Sequence, residues 1–220
     1  MLNEDRKLNN MSEQNVSGAS DSSNNLYKTS SLTCVNDYGG NTLLIDSINN
    51  LTCNKSLKTF HQNITGLGNK ANELYSHLHH DLPHILCLLE HHLCESELQF
   101  THLTNYSLEA SYRRKTFLNK GVSIFVYRNL KYNTINIEKY NIDKDIEACA
   151  IQLESTFNKL CILSIYRSPR GDFKNFLKRL DLILQKLYNN KYNIIICGDV
   201  NVNYLVDNNR KSQLDAILQL

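Results

Sequence analysis

An apolar run followed at once by two polar side chains places the strongest constraint on the fold. Residues 193–201 read Asn-Ile-Ile-Ile-Cys-Gly-Asp-Val-Asn, and the three isoleucines predict a strand that is buried on both faces and stops at Gly198. In α/β sheets, ligands bind outside the carboxyl ends of such strands. Asp199 and Asn201 stand at positions i and i+2, so in an extended chain both side chains point to the same side. The segment predicts either a ligand site at a strand end or an ordinary turn.

Composition divides the chain of 220 residues into a polar head and a globular body. Residues 1–56 are rich in Ser and Asn and have too few apolar groups for a core, so we expect disorder there, with a short strand or turn at 41–46. The overall net charge is only +2, but the body from Leu57 onward is basic and the head is acidic. A mildly basic body suits a polyanionic partner without requiring one.

The seven cysteines and the absence of apolar targeting segments indicate an intracellular protein. Four of the cysteines lie inside apolar runs, as small core residues do in a reducing compartment, and no CxxC pair occurs. The first residues lack the apolar run of a signal peptide, and no apolar stretch approaches membrane-spanning length. We therefore expect no membrane partner.

Residues 57–90 predict a βαβ unit. A strand at Leu57–Ile64 ends before Gly66 and Gly68, and a second strand at His84–Glu90 again ends in an acid. Between them, Asn69 is the predicted cap of a helix. The apolar residues of that helix recur at helical spacing, at Ala71, Leu74, Tyr75 and Leu78. The two strands should be parallel neighbours with a right-handed connection.

The chain between residues 105 and 189 predicts five strands and a long helix. The strand-like runs are 105–111, 121–128, 132–138, 147–154 and 159–167. Their short connections, among them a hairpin turn at 155–159, favour an antiparallel meander. Asp172 should cap an amphipathic helix, and a further helix should begin near Lys211. The predicted buried stripe of the long helix is Phe173, Phe176, Leu177, Leu180, Leu184 and Leu187.

Five short segments in this order resemble the endonuclease/exonuclease/phosphatase family, and within it the apurinic-type endonuclease domain of non-LTR retrotransposons. They are Gln62–Lys70, Leu89–Leu93, Lys120–Val126, Tyr166–Pro169 and Gly198–Asn201. The resemblance covers residues 57–220. It implies an α/β fold, a four-layer α/β sandwich in which two mixed β-sheets are flanked by helices, with the C-terminal part of the domain missing.

The resemblance also implies a DNA-nicking endonuclease that hydrolyses phosphodiesters with Mg²⁺, or alternatively Mn²⁺. DNA would be the partner, no organic cofactor is needed, and a working transposon endonuclease would be nuclear. By resemblance Glu90 and Asn63 hold the metal. The implied catalytic residues are Asp199, Asn201, Tyr166 and Asn63, and the phosphate or DNA contacts are Arg167, Arg113 and Arg114. Carboxylate and amide oxygens are hard ligands that suit Mg²⁺.

Departures from the family pattern predict weak or absent activity. The family completes its site with a Ser-Asp-His motif near the C-terminus of the domain, and the eight histidines of this chain all lie between His61 and His102. Lys120-Gly121 replaces the usual Gly-Gly, and Val200 replaces the usual Phe in Gly-Asp-Phe-Asn. We treat both substitutions as mild changes.

Several alternative interpretations stay open on the sequence alone. A phosphatase or sphingomyelinase branch of the same family, a non-catalytic nucleic-acid-binding remnant and an unfolded pseudogene product are each compatible with it. Residues 77–94 are dense in histidine and cysteine, but their spacing fits no standard zinc finger, and loop or helix-end histidines are the simpler interpretation. For the run Arg113–Lys115, a solvated charged segment is the favoured interpretation over a phosphate-backbone contact.

Overall fold

A computed structural model describes residues 34–37, 40–45, 57–115, 120–154 and 159–218. The predicted hairpin turn at 155–159 lies almost wholly outside the described residues, as does most of the head. Among the described residues, no helix is both long enough and apolar enough to cross a membrane.

The first sheet has six strands and contains the predicted βαβ unit. Its order is β1-β2-β3-β4-β6-β5. The strands are β1 (Cys34–Asp37), β2 (Gly40–Ile45), β3 (Leu57–Asn63), β4 (Ile85–Leu89), β5 (Tyr106–Tyr112) and β6 (Val122–Tyr127). As predicted, β3 and β4 are parallel neighbours, joined through helix α1 (Ala71–Leu78). Helix α2 (Glu95–Phe100), which is absent from the elements predicted above, lies between β4 and β5 in the chain.

The hairpin of β1 and β2 adds to this sheet ahead of Leu57. β2 is antiparallel to β3, and it overlaps the segment 41–46 for which the sequence predicts a strand or turn. Two strands within 1–56 therefore join the sheet, while the remaining residues of that segment lie outside the described part of the chain. The predicted domain start at Leu57 stays a prediction.

The second sheet has four strands in the order β10-β9-β8-β7. These are β7 (Tyr132–Ile135), β8 (Glu147–Leu153), β9 (Leu160–Tyr166) and β10 (Asn193–Asp199). The first three form an antiparallel meander, with a short 3-10 helix (Glu138–Tyr140) between β7 and β8. Helix α3 (Phe173–Asn189) then carries the chain back, so that β10 runs parallel to β9, and helix α4 (Asn209–Leu218) follows.

The expected single meander of five strands is wrong in its pairing. All five strands form, but β5 and β6 pair with β4 in the first sheet, and β7, β8 and β9 pair in the second. Alternating apolar residues determine which face of a strand is buried, and they do not determine its neighbour. β6 is buried on both faces, as a strand inside a sheet must be.

Apolar contacts divide the molecule into four layers, as expected. One core lies between the two sheets and includes Ile124 and Ile162. A second core packs the outer face of the first sheet against α1 and α2, and Phe60 belongs to it. A third packs the outer face of the second sheet against α3 and α4, with Phe176 fully buried. The fold is thus a four-layer α/β sandwich.

Helices α1 and α3 bury the faces that the sequence predicts, with local differences. The Asp172 carboxylate caps α3 by accepting a hydrogen bond from the Asn175 amide at 2.8 Å. The most buried residues of α3 include Ile183, which the predicted stripe omitted. In α1 the cap position is Lys70 rather than Asn69, and it makes no side-chain capping bond. Tyr75, predicted to face the core, lies exposed.

Gly198 is part of β10 and not its end. It pairs with Ile165 of β9, and a Cβ at this position would overlap the Ile165 carbonyl oxygen. The glycine therefore permits close approach of two strands just before Asp199. β10 is also an edge strand of the described sheet, so Ile194 and Ile196 are only half-buried, contrary to the expected burial on both faces.

Substituting Gly198 with alanine should test this close approach. Overpacking of this kind costs about 1–3 kcal/mol, so Gly198→Ala should lower the free energy of unfolding in urea by about that amount. Gly68→Ala is the matched control, because its Cβ would lie at an ordinary 3.7 Å from the Leu93 side chain. Equal stability of the two variants would contradict the assignment.

Candidate functional site

The polar strand ends of both sheets lie at one end of the core between the sheets. Asn63 ends β3, Glu90 directly follows β4, Tyr166 ends β9 and Asp199 ends β10. Tyr166 stands directly beside Asp199 on one side and beside Glu147 on the other. Paired residues in neighbouring strands point to the same face, and Tyr166 belongs to the core between the sheets. These side chains therefore line the end of the inter-sheet core.

Glu90 is the centre of this arrangement. It is only 6% exposed, and its carboxylate pairs with the Lys120 ammonium. The side chains of Tyr166 and Asn63 also hydrogen-bond to it. Burial alone would raise the pKa of Glu90, but the bonds from these three residues outweigh burial, and the pKa lies below its ordinary value. Glu90 is therefore a carboxylate at neutral pH.

The backbone at Glu90 is held in a strained conformation. Its φ is 52°, in the left-handed region that glutamate rarely adopts. The segment after β3 fixes it, because the amides of Ile64, Gly66 and Leu67 donate to the carbonyls of three successive residues that begin at Leu89. Those bonds measure 3.0, 2.8 and 2.9 Å. Strain held by surrounding contacts is a feature of functional sites.

Tyr166 connects the two halves of the site. It is almost fully buried, and burial together with its hydrogen bond to Glu90 raises the pKa of its hydroxyl. The Lys120 ammonium lies 6.0 Å from the centre of the Tyr166 ring. Tyr166 therefore stays protonated and joins Glu90 of the first sheet to Asp199 of the second.

Asp199 and Asn201 form a turn in which both side chains are engaged. The Asn201 amide nitrogen donates to Asp199 Oδ1 at 2.9 Å, and Asn201 has a φ of 51°. The Asn201 side chain donates from Nδ2 to the carbonyl of Arg167 at 2.7 Å. The Asx turn that the sequence allowed is thus present in this segment, and the ligand site stays a prediction.

Arg167, for which the sequence predicts a phosphate or DNA contact, lies in a buried environment. It is fully buried, and its guanidinium donates to the carbonyl oxygens of Val200, Ser168, Gly171 and Asn201 at 2.8–3.1 Å. Burial, followed by the nearby Arg210, lowers its pKa from the ordinary value. Because backbone carbonyls accept from these donors, Arg167 holds the loops beside Asp199 in place.

Arg113 and Arg114 also lie in ion pairs. Arg113 pairs with Glu95 at 3.1 Å on the surface. Arg114 is 5% exposed, and its Nε donates at 2.6 Å to Glu147, which is fully buried. Burial raises the pKa of Glu147, against the opposing effect of Arg114. The expectation of a solvated run therefore fails at Arg114, because a buried charge requires a partner inside the protein.

His61 was not among the site residues predicted from the sequence, and Lys120 was treated only as a mild change from the usual Gly-Gly. His61 lies two residues before Asn63 on the same face of β3 and within electrostatic reach of Asp199. Burial lowers its pKa to about 4, although Asp199 opposes this, and its Nε2 is buried without a hydrogen-bond partner. The two-residue spacing from Asn63 is the signal that could have found it.

The donor atoms around Glu90 suit a hard cation. Glu90 offers carboxylate oxygens and Asn63 an amide oxygen, which also accepts from the Thr65 hydroxyl at 3.2 Å. Their residue types fit Mg²⁺, but the Lys120 ammonium contacts Glu90 Oε2. Among the described residues, no group of three or more His, Cys, Asp or Glu side chains could hold a metal ion, the segment 77–94 included.

Comparison with solved structures decides the fold. The chain is similar to the endonuclease domain of TRAS1, a telomere-specific non-LTR retrotransposon, with a TM-score of 0.55 over 73% of this chain and 68% of that one at 14% identity. An endonuclease/exonuclease/phosphatase family protein from Bacteroides thetaiotaomicron gives a TM-score of 0.53 over 74% and 69% at 13% identity. This chain has the endonuclease/exonuclease/phosphatase fold.

A third structure with the endonuclease/exonuclease/phosphatase fold, a humanized D. rerio TDP2, gives a TM-score of 0.51 over 72% of this chain and 69% of that one, at 17% identity. D. rerio TDP2 has also been solved in complex with a single-strand DNA product. No protein-family profile and no curated protein matches the sequence. At these identities the likeness shows the fold, and the role of each residue rests on the geometry around Glu90.

The buried histidines predict a pH dependence of stability. The pKa of His61 is about 4 in the folded protein, against about 6.5 in an unfolded chain, so only the unfolded state gains a proton between these values. The free energy of unfolding should therefore fall as pH drops from 6.5 to 4, by up to about 1.4 kcal/mol per pH unit for this group. His91, also with a pKa of about 4, should add a similar slope.

Urea unfolding of the wild type and of His61→Leu, measured from pH 7 to pH 4, tests this dependence. The variant should show a shallower slope in that window. Identical slopes for the two proteins would show that His61 is not held neutral by the fold.

Proposed function

We propose that this chain is a Mg²⁺-dependent phosphodiesterase that nicks DNA, derived from a retrotransposon endonuclease. The observation that carries the proposal is the buried, ionised Glu90 beside Asn63 and Tyr166, at the strand ends where Asp199 and Asn201 also lie. The fold, shared with the endonuclease domain of a retrotransposon and with a TDP2 solved with a DNA product, supports the same chemistry.

Glu90 and Asn63 would hold the cation. Bound there, Mg²⁺ would neutralise negative charge on the phosphate oxygens. Glu90 suits this role because its lowered pKa keeps it charged despite burial. Asn63 adds a neutral oxygen without adding charge, which agrees with the few protein ligands that Mg²⁺ takes.

The second sheet would supply proton transfer and orientation. Asp199 would accept a proton from the attacking water, and the Tyr166 hydroxyl, which stays protonated, would donate to a phosphate oxygen. The turn at Asn201 keeps the Asp199 carboxylate in place through the 2.9 Å bond from its backbone amide. Activity should be low, because all eight histidines lie between His61 and His102 and none matches the histidine of the family's Ser-Asp-His motif.

Binding of nucleic acid without cleavage is the second candidate. The ion pair between Lys120 and Glu90 favours it, because a carboxylate paired with an ammonium is less available to a metal. In that case the protein should bind DNA in a salt-dependent manner without nicking it.

A plasmid-nicking assay distinguishes these functions. With Mg²⁺, the wild type should convert supercoiled DNA to the open-circular form, and Asp199→Asn should lose about 10²–10⁴-fold if Asp199 transfers the proton. Glu90→Gln should abolish nicking, and added Mg²⁺ should not restore it.

Glu95→Gln is the matched control, because Glu95 is an exposed carboxylate paired with Arg113. It should nick as the wild type does. Nicking that survives both Glu90→Gln and Asp199→Asn would rule out the proposed site, and DNA binding without nicking in the wild type would support the second candidate.

A further inference from the structure

We propose that the Lys120 ammonium is a built-in cation of the Glu90 site and that a divalent metal ion binds only by displacing it. The inference rests on the proposed function, since it concerns the same carboxylate. It adds a residue that sets the affinity of the site for a divalent metal ion.

Two contacts hold the ammonium in place. Lys120 Nζ forms a short ion pair with Glu90 Oε2, and the same nitrogen lies 6.0 Å from the centre of the Tyr166 ring. The Glu90 side chain is 9% exposed and the Lys120 side chain 29%, so water screens this pair less than a surface pair. The ammonium therefore neutralises the charge that would attract a metal ion.

The backbone keeps Lys120 next to this carboxylate. Gly121 has a φ of 123°, and a Cβ there would overlap His91 Nε2 and lie 2.6 Å from the Tyr112 carbonyl oxygen. His91 is the residue that follows Glu90, so the chain at 120–121 packs directly against the strained segment. Because Gly121 is closely packed against His91 and Tyr112, we expect the ammonium to be displaced by rotation of the Lys120 side chain.

A second potential cation does not take over this role. His92 Nε2 lies 3.7 Å from Glu90 Oε2. At that separation His92 makes no hydrogen bond to the carboxylate, whereas the Lys120 ammonium contacts the same oxygen. The charge of Glu90 is therefore balanced by Lys120, and replacing that lysine should leave an uncompensated carboxylate that recruits a metal ion.

The expected change in metal affinity follows from competition between the Lys120 ammonium and the metal ion for Glu90. If the paired state is populated about nine-tenths of the time, the apparent affinity for metal falls about tenfold relative to a site without the lysine. Lys120→Met preserves the length and apolar stem of the side chain and removes its charge. Lys120→Arg preserves the charge.

Direct measurement of metal binding tests the proposal without relying on activity. Mn²⁺ is titrated into each purified protein at pH 7, and free Mn²⁺ is followed by electron paramagnetic resonance. Lys120→Met should bind Mn²⁺ about tenfold more tightly than the wild type. Lys120→Arg should stay as weak as the wild type, and Glu90→Gln added to Lys120→Met should abolish the gained affinity.

Lys58→Met is the matched control. Lys58 pairs with Asp81 at 2.5 Å, at the opposite end of the same strands, and its loss should not change Mn²⁺ affinity. Equal Mn²⁺ affinity of the wild type and Lys120→Met, lost in Glu90→Gln, would overturn the role of Lys120 and leave the metal site standing. Absence of binding in every protein, with normal circular dichroism and cooperative melting, would overturn both this inference and the proposed metal dependence.

Discussion

A single buried guanidinium holds the second half of the site together. Arg167 directly follows β9, and its side chain donates to carbonyls at Ser168 and Gly171 on one side and at Val200 and Asn201 on the other. Its own backbone amide donates to the Asp199 carbonyl at 3.0 Å. Desolvating an arginine is costly unless its donors are satisfied, so these bonds are needed for its burial. The position of Asp199 depends on this network.

The first half of the site depends on backbone hydrogen bonds around Glu90. Glu90 leaves β4 in a left-handed conformation, and three backbone bonds from the segment after β3 maintain it. Tyr166 then connects this half to Asp199 across the end of the inter-sheet core. The first half is thus fixed by main-chain bonds and the second half by the side chain and backbone amide of Arg167, while side chains make the contact between the halves.

Much of this architecture could be predicted from the sequence. Alternating and continuous apolar runs predicted strands β3 to β10, and the Asp172 cap predicted the start of α3. The acid that follows β4 and the acid that ends β10 made Glu90 and Asp199 candidate site residues. Strand partners could not be predicted, because period-2 alternation identifies faces and not neighbours. This is why β5 and β6 were expected in one meander with the strands that follow them.

The charged residues were the least predictable part. Arginine usually lies on surfaces, so the burial of Arg167 and Arg114 required knowledge of their distant partners, Val200 and Glu147. Lys120 and Glu90 are thirty residues apart and meet only because β4 and β6 pair. An ion pair of that kind has no local sequence signal.

The central claim is that strand ends from both sheets form one cation-binding site around Glu90. The most direct test of this claim is nuclear magnetic resonance of the isotopically labelled wild-type protein. Mn²⁺ is added in excess, and the paramagnetic broadening of each backbone amide resonance is measured. We expect resonances of Asn63, Glu90, Tyr166 and Asp199 to broaden first and together. Broadening confined to exposed acids such as Asp81 and Asp207, or spread evenly over the surface, would contradict it.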